Sequence, residues 1–366
     1  MQALHYDELT YPQVAALPRS VPLVIPVGGP PDMDALARKW LREVGRTPRQ
    51  LVVLPPLLPE WNVSPATLRP FLTTLTASLK AQGFRQICKI KSPTPVIRAG
   101  ASAGAENPKS KIVLMALGHT EQHGLHLPLS TDTLIIDAIA RGVERALPDV
   151  VLRVPTLPYG VSMHRGQFPA TLSVEGRAWE DSVLESVGWF VERGFDKFYL
   201  INGHGGNHSF LVNAVKYAGD RWPHIFCATS FLHLTASGYK EIQRLRESAF
   251  PGGMGHACEL ETSYILHLRP ELVHMERAVD EVNFIATPEY YMDWLEGGAL
   301  IANPPWTDDT LTGAYGQPSV ATAEKGRAWL AAAIAEKVEH VHEIVEQQER
   351  RIARRAQISN RTRKRD

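Results

Sequence analysis

From Gly118 to Asp132 the chain reads GHTEQHGLHLPLSTD. Glu121 and His123 are two apart, so in an extended segment they project to one side, and Asp132 enters at the first turn of a helix that Thr131 can cap. A carboxylate, an imidazole and a second carboxylate can therefore converge on one point. Such a mixed nitrogen and oxygen set suits Zn2+, Mn2+ or Fe2+ better than Ca2+ or an iron–sulfur cluster. A second segment, Asn202-Gly203-His204-Gly205-Gly206-Asn207, offers His204 among three glycines that let the backbone approach closely. A third, Gly255-His256-Ala257-Cys258-Glu259-Leu260-Glu261-Thr262-Ser263, reads as helical. On a helix His256, Glu259 and Ser263 share one face while Glu261 points away, so Glu259 is the carboxylate expected to face the site, with His256 as an acid/base beside it.

Other chemistries fit these segments less well. The Asn202–Asn207 turn lacks the Lys and hydroxyl of a P-loop and the spacing of a dinucleotide fingerprint. Cys258 is a poor nucleophile candidate, because residues two apart on a helix point apart and no basic cluster is evident to stabilise a thiolate. Ser162, His164 and the turn Gln167-Phe168-Pro169 lie in a loop after a strand, where they could shape a substrate pocket or simply form a turn.

The elements that must position these residues alternate. Lys111–Gly118, Val150–Pro155, Lys197–Ile201 and Ile225–Thr229 read as strands, and Thr131–Leu147, Trp179–Arg193 and Glu259–Leu268 as helices. The fold class is therefore α/β with a largely parallel sheet. The first two metal-binding segments follow carboxyl ends of predicted parallel strands, where open α/β sheets place their ligands. Ala321–Arg355 reads as a long helical segment that could be interrupted. Residues 93–110, rich in Ala, Gly, Pro and Ser, form a linker between an N-terminal region (1–92) and the main domain (111–349). The N-terminal region resembles a worn copy of that main domain. VPLVIPVGG then DMDALARKW parallels KIVLMALGH then DTLIIDAIARGV, and Gln82-Gly83-Phe84-Arg85 parallels Arg193-Gly194-Phe195-Asp196. The first copy lacks the whole segment between Gly118 and Thr131, and no equivalent of Glu121, His123, Asp132 or His204 is expected in it.

Across 366 residues, 44% hydrophobic and 21% charged, the composition is that of a chain with a substantial core. Its 39 basic and 39 acidic residues balance, so nothing global draws it to nucleic acid or an anionic membrane. The first twenty residues hold no signal-peptide core and no segment has the apolar run of a spanning helix, so a cytoplasmic protein is expected. Three widely spaced cysteines fit free thiols. The basic tail, residues 350–366, reads as a solvated helix end.

The residues resemble the creatininase family of metal-dependent amidohydrolases. GHTEQHGLHLPLSTDT matches its Gly-x-x-Glu-Gln-His-Gly-x-His-Leu-Pro-Leu-x-Thr-Asp signature. The likeness continues in the family's order through PTLPYGVSMHRGQFPATLSV, INGHGGN, GHACELETS and YGQPSVATAEKG, over roughly residues 108–345. The resemblance implies α/β/α layers and a dinuclear centre of two divalent ions, Zn2+ first and Mn2+ or Fe2+ next. Its ligands would be Glu121, His123, Asp132 and His204, with Asp132 bridging. It also implies a homo-oligomer, a hexamer or trimer of dimers, and hydrolysis of a C–N bond in a small, often cyclic, non-peptide amide. Creatininase itself carries a Tyr and a ligand Glu just after the histidine aligned with His204, where this chain has Gly205 and Gly206. Glu259 is the expected replacement ligand, with Ser162, His164 and Gly205 as substrate contacts. Creatininase also has a Trp-Asp pair before the histidine aligned with His256, where this chain has Gly252 and Gly253, so creatinine is not the expected substrate. Family members similar at these positions act on formamides of pyrimidine precursors or trim a modified peptide. The alternatives are thus a formamide hydrolase, a metallopeptidase or a non-catalytic, metal-stabilised assembly protein.

Overall fold

A computed structural model of the chain describes residues 2–27, 50–57, 61–91, 107–230 and 237–362. Its centre is a parallel sheet of β5 (Ile112–Leu117), β6 (Val151–Leu157), β7 (Lys197–Asn202) and β8 (Phe226–Ser230), in the order β6-β5-β7-β8. All six residues of β5 are buried, as a strand covered on both faces requires. Alternation sorts its side chains. Val113, Met115 and Leu117 join one apolar cluster, Ile112, Leu114 and Ala116 the other. The first cluster is closed by helices Gly176–Val191 and His208–Arg221, the second by Thr131–Ala146, Glu259–Leu268 and Ala323–Thr362. We number the helices α1 (Tyr11–Ala16), α2 (Pro65–Ala81), α3 (Thr131–Ala146), α4 (Gly176–Val191), α5 (His208–Arg221), α6 (Tyr239–Leu245), α7 (Glu259–Leu268) and α8 (Ala323–Thr362). The result is an α/β fold with helices on both faces of a parallel sheet, as the sequence leads one to expect.

Upstream lies a second parallel sheet of β1 (Gln2–His5), β2 (Leu23–Val27), β3 (Gln50–Val53) and β4 (Ile87–Lys91), in the order β1-β3-β2-β4. Three consecutive members, β3-β2-β4, repeat the order β6-β5-β7. The helices before β4 and β7 also end alike. Gly83 and Gly194 have φ of 88° and 89°, a left-handed conformation that glycine adopts without penalty, and each is followed by a buried phenylalanine, Phe84 and Phe195. The segment DMDALARKW and most of the expected linker lie outside the described residues.

The N-terminal residues share a core with the main sheet. Tyr6, Leu23, Trp61, Phe71 and Phe84 belong to the same apolar cluster as Met115 and Trp179. Polar contacts brace the loops at the ends of β5 and β6. Leu129 N–H donates to Leu9 O (2.9 Å) and Ser130 N–H to Asp7 O (2.8 Å). Gln82 donates to Thr171 O (2.8 Å), Trp61 Nε1 to Pro155 O (2.9 Å), and Tyr159 Oη to Pro55 O (2.5 Å).

Two expectations change. His256 is not helical: it ends the short strand β9 (Met254–His256), which pairs antiparallel with β10 (Tyr315–Gly316), and α7 begins only at Glu259. The long C-terminal segment is one uninterrupted helix of 40 residues, and its basic part from Arg350 onward is exposed as far as it is described. Among the described residues no helix is long and apolar enough to cross a membrane, and Cys227 and Cys258 are free thiols.

The helix that carries Glu259 and Glu261 depends on α8. A Cβ at Gly326 would lie 1.9 Å from Ser263 O and 2.4 Å from its carbonyl carbon, both backbone atoms that cannot yield alone. Gly326→Ala should therefore destabilise the fold by about 1–3 kcal/mol through overpacking. In thermal unfolding the midpoint should fall by several degrees, whereas Gly297→Ala, which meets nothing within 4 Å, should leave it unchanged.

Candidate metal centre

Three loops leave the carboxyl ends of the adjacent strands β6, β5 and β7, and a fourth element, the β9–α7 junction, closes over them. They bring Glu121, His123, Asp132, His204, His256 and Glu261 together, none more than 4% exposed. Asp132 stands between two imidazoles, with Oδ1 3.1 Å from His123 Nε2 and Oδ2 3.1 Å from His204 Nδ1. Glu121 Oε1 lies 3.2 Å from His204 Nδ1 and 3.7 Å from His256 Nδ1. Glu261 Oε1 lies 3.8 Å from His123 Nε2, while its Oε2 accepts the Ala257 N–H at 2.6 Å.

Backbone carbonyls decide which way each ring presents itself. His123 Nδ1 faces Glu121 O (3.1 Å), His204 Nε2 faces Val161 O (3.0 Å) and His256 Nε2 faces Gln122 O (2.9 Å). A carbonyl only accepts, so these three nitrogens carry the protons, and the opposite nitrogen of each ring turns toward the carboxylates. Three buried anions facing three imidazole nitrogens call for positive charge, supplied either by extra protons or by cations. Burial pulls the His204 imidazole down, but Glu121 and Asp132 outweigh it and lift the ring to about 10. His123 is likewise lifted well above the usual range, against burial, by Asp132 and then Glu261. Glu121 Oε1 and Asp132 Oδ2 are enclosed without a hydrogen-bond partner. Two overlapping triads, Glu121/His123/His256 and His123/Asp132/Glu261, each hold their ligand atoms within 4.8 Å of one another, so these buried clusters fit a binuclear metal site.

A third triad, His119/Glu121/His204, meets the same distance criterion, but His119 differs in kind. Its Nδ1 accepts the Gly160 N–H (2.8 Å), so in the neutral ring Nε2 carries the proton and cannot ligate. Burial and then His204 hold that ring down at about 3, hence neutral, and Nε2 points at Glu121 Oε2 from 3.8 Å. The same Oε2 accepts the Ser162 hydroxyl at 2.6 Å and lies 3.2 Å from Arg165 Nε. Glu121 is thus gripped through one oxygen and offers the other.

The sequence expectation for Glu259 is corrected. Its carboxylate is held away from the cluster by Lys325 Nζ (2.6 Å) and by the N–H groups of Glu247 (3.1 Å) and Ser248 (2.9 Å). Glu261 faces the histidines instead. The helical-face argument failed because His256 lies on a strand and Ala257, at φ 49°, turns the chain before α7 starts. Ser162 is fully buried on Glu121, so it positions that carboxylate rather than lining a pocket mouth. His164 does sit at the mouth, half-buried, 5.3 Å from the Trp306 ring, and Gly205 lies under Trp294. Cys258 is buried, and burial and Glu261 push its thiol well above the usual range, as a structural rather than a nucleophilic thiol requires.

Trp294 and Trp306 carry no periodicity or motif by which the sequence could have assigned them; His119 and Arg165 lie within the quoted segments, but nothing in their spacing sets them apart. Gly206 explains why the carboxylate comes from α7. A Cβ there would lie 2.1 Å from Val161 O, so the loop after β6 closes this position to any longer side chain.

Glu261→Gln should lower metal content, measured by mass spectrometry on protein reconstituted with Zn2+, from about two ions per chain toward one. Glu259→Gln should leave the metal in place and instead cost about 1.5–3 kcal/mol of stability, the size of a hydrogen bond to a charged group. The reverse pattern would restore Glu259 as the ligand.

Comparison with known proteins gives the family and the fold. The family model for creatininase, described as creatinine amidohydrolase, matches residues 101–341. A mycofactocin precursor peptide peptidase of Mycobacterium tuberculosis is 31% identical over 265 residues, 68% of this chain and 92% of that protein. A 3-dehydro-scyllo-inosose hydrolase of Thermotoga maritima is 28% identical over 59% of this chain and 72% of its own. The creatinine amidohydrolase of Pseudomonas putida is 28% identical over 46% and 68%. Among solved structures a manganese creatininase superposes with a TM-score of 0.55 at 23% identity, covering 66% of this chain and 93% of its own. A Zn–Zn form of a creatininase variant gives the same TM-score at the same identity and coverage. The chain, with its signature loop, its parallel sheet and its buried ligand cluster, belongs to the creatininase family.

Proposed function

We propose that this protein is a two-metal hydrolase of a C–N bond. The observation that carries the reading is the convergence of three imidazole nitrogens, each set by a backbone carbonyl, on three buried carboxylates. Glu121, Asp132 and His204 would hold one divalent ion and His123, Asp132 and Glu261 the other, with Asp132 shared. Zn2+ suits this donor set, as does Mn2+. When bound, such a pair polarises a carbonyl oxygen and lowers the pKa of water at the site.

The chain's own residues supply orientation and proton movement. The His256 ring lies tilted against that of His123 (ring centroids 4.0 Å) with Nδ1 toward the cluster, and burial, Arg165 and His123 hold it well below the usual imidazole range. Neutral at Nδ1, it can take a proton from the attacking water and deliver it to the leaving nitrogen as the C–N bond breaks. One product is an acid, the other an amine. Ser162 keeps Glu121 oriented throughout.

For the substrate, likeness favours a peptide or peptide-like amide. The peptide peptidases match this chain over more of its length and at higher identity than creatinine amidohydrolase does. A small cyclic amide or formamide is the second reading, supported by the enclosure of the cluster beneath Trp294 and Trp306.

We further infer that residues 1–92 are a degenerate copy of the catalytic half. The shared strand order and the matched Gly83-Phe84 and Gly194-Phe195 turns support this reading. Lacking the ligand loop, that half would serve to brace the loops at the site.

His256→Ala should lower turnover about 100- to 10,000-fold with metal content unchanged. The assay is a panel of short peptides, cyclic amides and formamides offered to the Zn2+- or Mn2+-loaded enzyme, with Asp132→Ala as the metal-deficient control. Opening of any of them by the wild type and not by Asp132→Ala supports the hydrolase reading, and the member opened decides between the two substrates. A wild type that binds no metal and stays inert after reconstitution sinks it.

A further inference from the structure

Arg165 is more than the proposed chemistry uses. It ends the short turn Met163–Arg165 after β6, and its side chain is 3% exposed. Its Nε lies 3.2 Å from Glu121 Oε2 and 3.3 Å from His164 Nε2. Nη1 reaches only the Gly313 carbonyl, at the 3.5 Å limit of a hydrogen bond, and Nη2 makes none among the described residues. The guanidinium lies over Trp306, with its carbon 3.4 Å from the ring centroid. A planar cation has thus been stacked on an aromatic face, deep in the protein, with most of its fork of donors unused.

Orienting Glu121 does not require this arrangement, because Ser162 already donates to the same oxygen at 2.6 Å. The balance of charge points the same way. Glu121, Asp132 and Glu261 carry three negative charges against the four positive charges of two divalent ions, leaving one in excess, and Arg165 raises the excess to two. An enclosed site with surplus positive charge favours an anionic ligand, and a guanidinium fork matches a carboxylate in geometry as well as sign.

We propose that Arg165 recognises a carboxylate on the substrate, so that the amide to be cleaved is flanked by an acid group. This rests on the two-metal reading of the site. The acid could be the C-terminus of a peptide or the free carboxyl of a small amide; the chemistry of recognition is shared. His164 and Trp306 form the wall against which the acid is placed, and the scissile carbonyl then lies over the Glu121–Asp132 cluster.

The test is calorimetric binding to Zn2+-loaded wild type, Arg165→Met and Arg165→Lys, with metal content and melting temperature recorded for each. Two matched pairs of probes separate the sources: glycylglycine against glycylglycinamide, and succinamate against succinamide. The wild type should bind the acid of at least one pair roughly ten- to a hundred-fold more tightly than its amide, the size of one or two charge-assisted hydrogen bonds. Arg165→Met should abolish that preference while keeping both metals and the affinity for the amide, and Arg165→Lys should recover part of it. The pair that shows the preference identifies the source. A preference that survives in Arg165→Met belongs to the metals and overturns the proposal. So does equal weakening of acid and amide together with metal loss, which would make Arg165 a support for Glu121 alone. Absence of acid binding by metal-loaded wild type at millimolar concentration overturns it too. A wild type that refuses Zn2+ but still shows an Arg165-dependent acid preference would instead overturn the two-metal reading and leave Arg165 in its role.

Discussion

The site depends on three hydrogen bonds from imidazole to backbone. Each of His123, His204 and His256 commits one nitrogen to a carbonyl, those of Glu121, Val161 and Gln122, and so must turn the other inward. An imidazole free to flip would present donor or lone pair indifferently, and three buried carboxylates would then have no fixed counterpart. Two of the carbonyls belong to the loop after β5 and the third to the loop after β6, so the register of adjacent strands sets the orientation of the rings. The carboxylates are fixed by equally local means. Glu121 is held by a serine hydroxyl, Glu261 by the Ala257 amide, and Asp132 by its place in the first turn of α3.

Loops that carry this much buried polarity need bracing, and the N-terminal residues supply it. Their backbone carbonyls accept from Leu129 and Ser130 in one loop, and the Gln82 side chain meets Ala170 and Thr171 in the other. Shared apolar packing then makes the brace part of the core rather than an appended unit. The N-terminal sheet shows the same order in β3-β2-β4 as β6-β5-β7 and a matching glycine turn before β4.

Much of this was legible in the sequence, for physical reasons. β5 and β7 announce themselves as compact apolar runs because both their faces are covered, and Glu121, His123, Asp132 and His204 stand out because they sit at the ends of those runs. Glu261 was missed because a face argument presupposes a helix, and the chain around His256 is a strand followed by a left-handed residue. Arg165, Trp294 and Trp306 were missed for another reason. The excursion from Arg269 to Thr322 holds only short turns and one brief strand, so no period links Trp306 to the site, and only the folded chain shows Arg165 lying on it.

The source of the third carboxylate links these details. The carbonyl of Val161 that orients His204 occupies the space into which a side chain at position 206 would project. So long as that hydrogen bond sets the His204 ring, residue 206 cannot supply a carboxylate, and the cluster must draw its third anion from another element. The start of α7 is the available one, because Glu261 at its third position can anchor one oxygen on Ala257 and free the other. Drawing on α7 brings β9 and β10 with it, and next to β10 the chain that carries Trp306 over Arg165. A single close contact between two loops thus decides where the third carboxylate originates, and with it which aromatic residues stand at the mouth of the site.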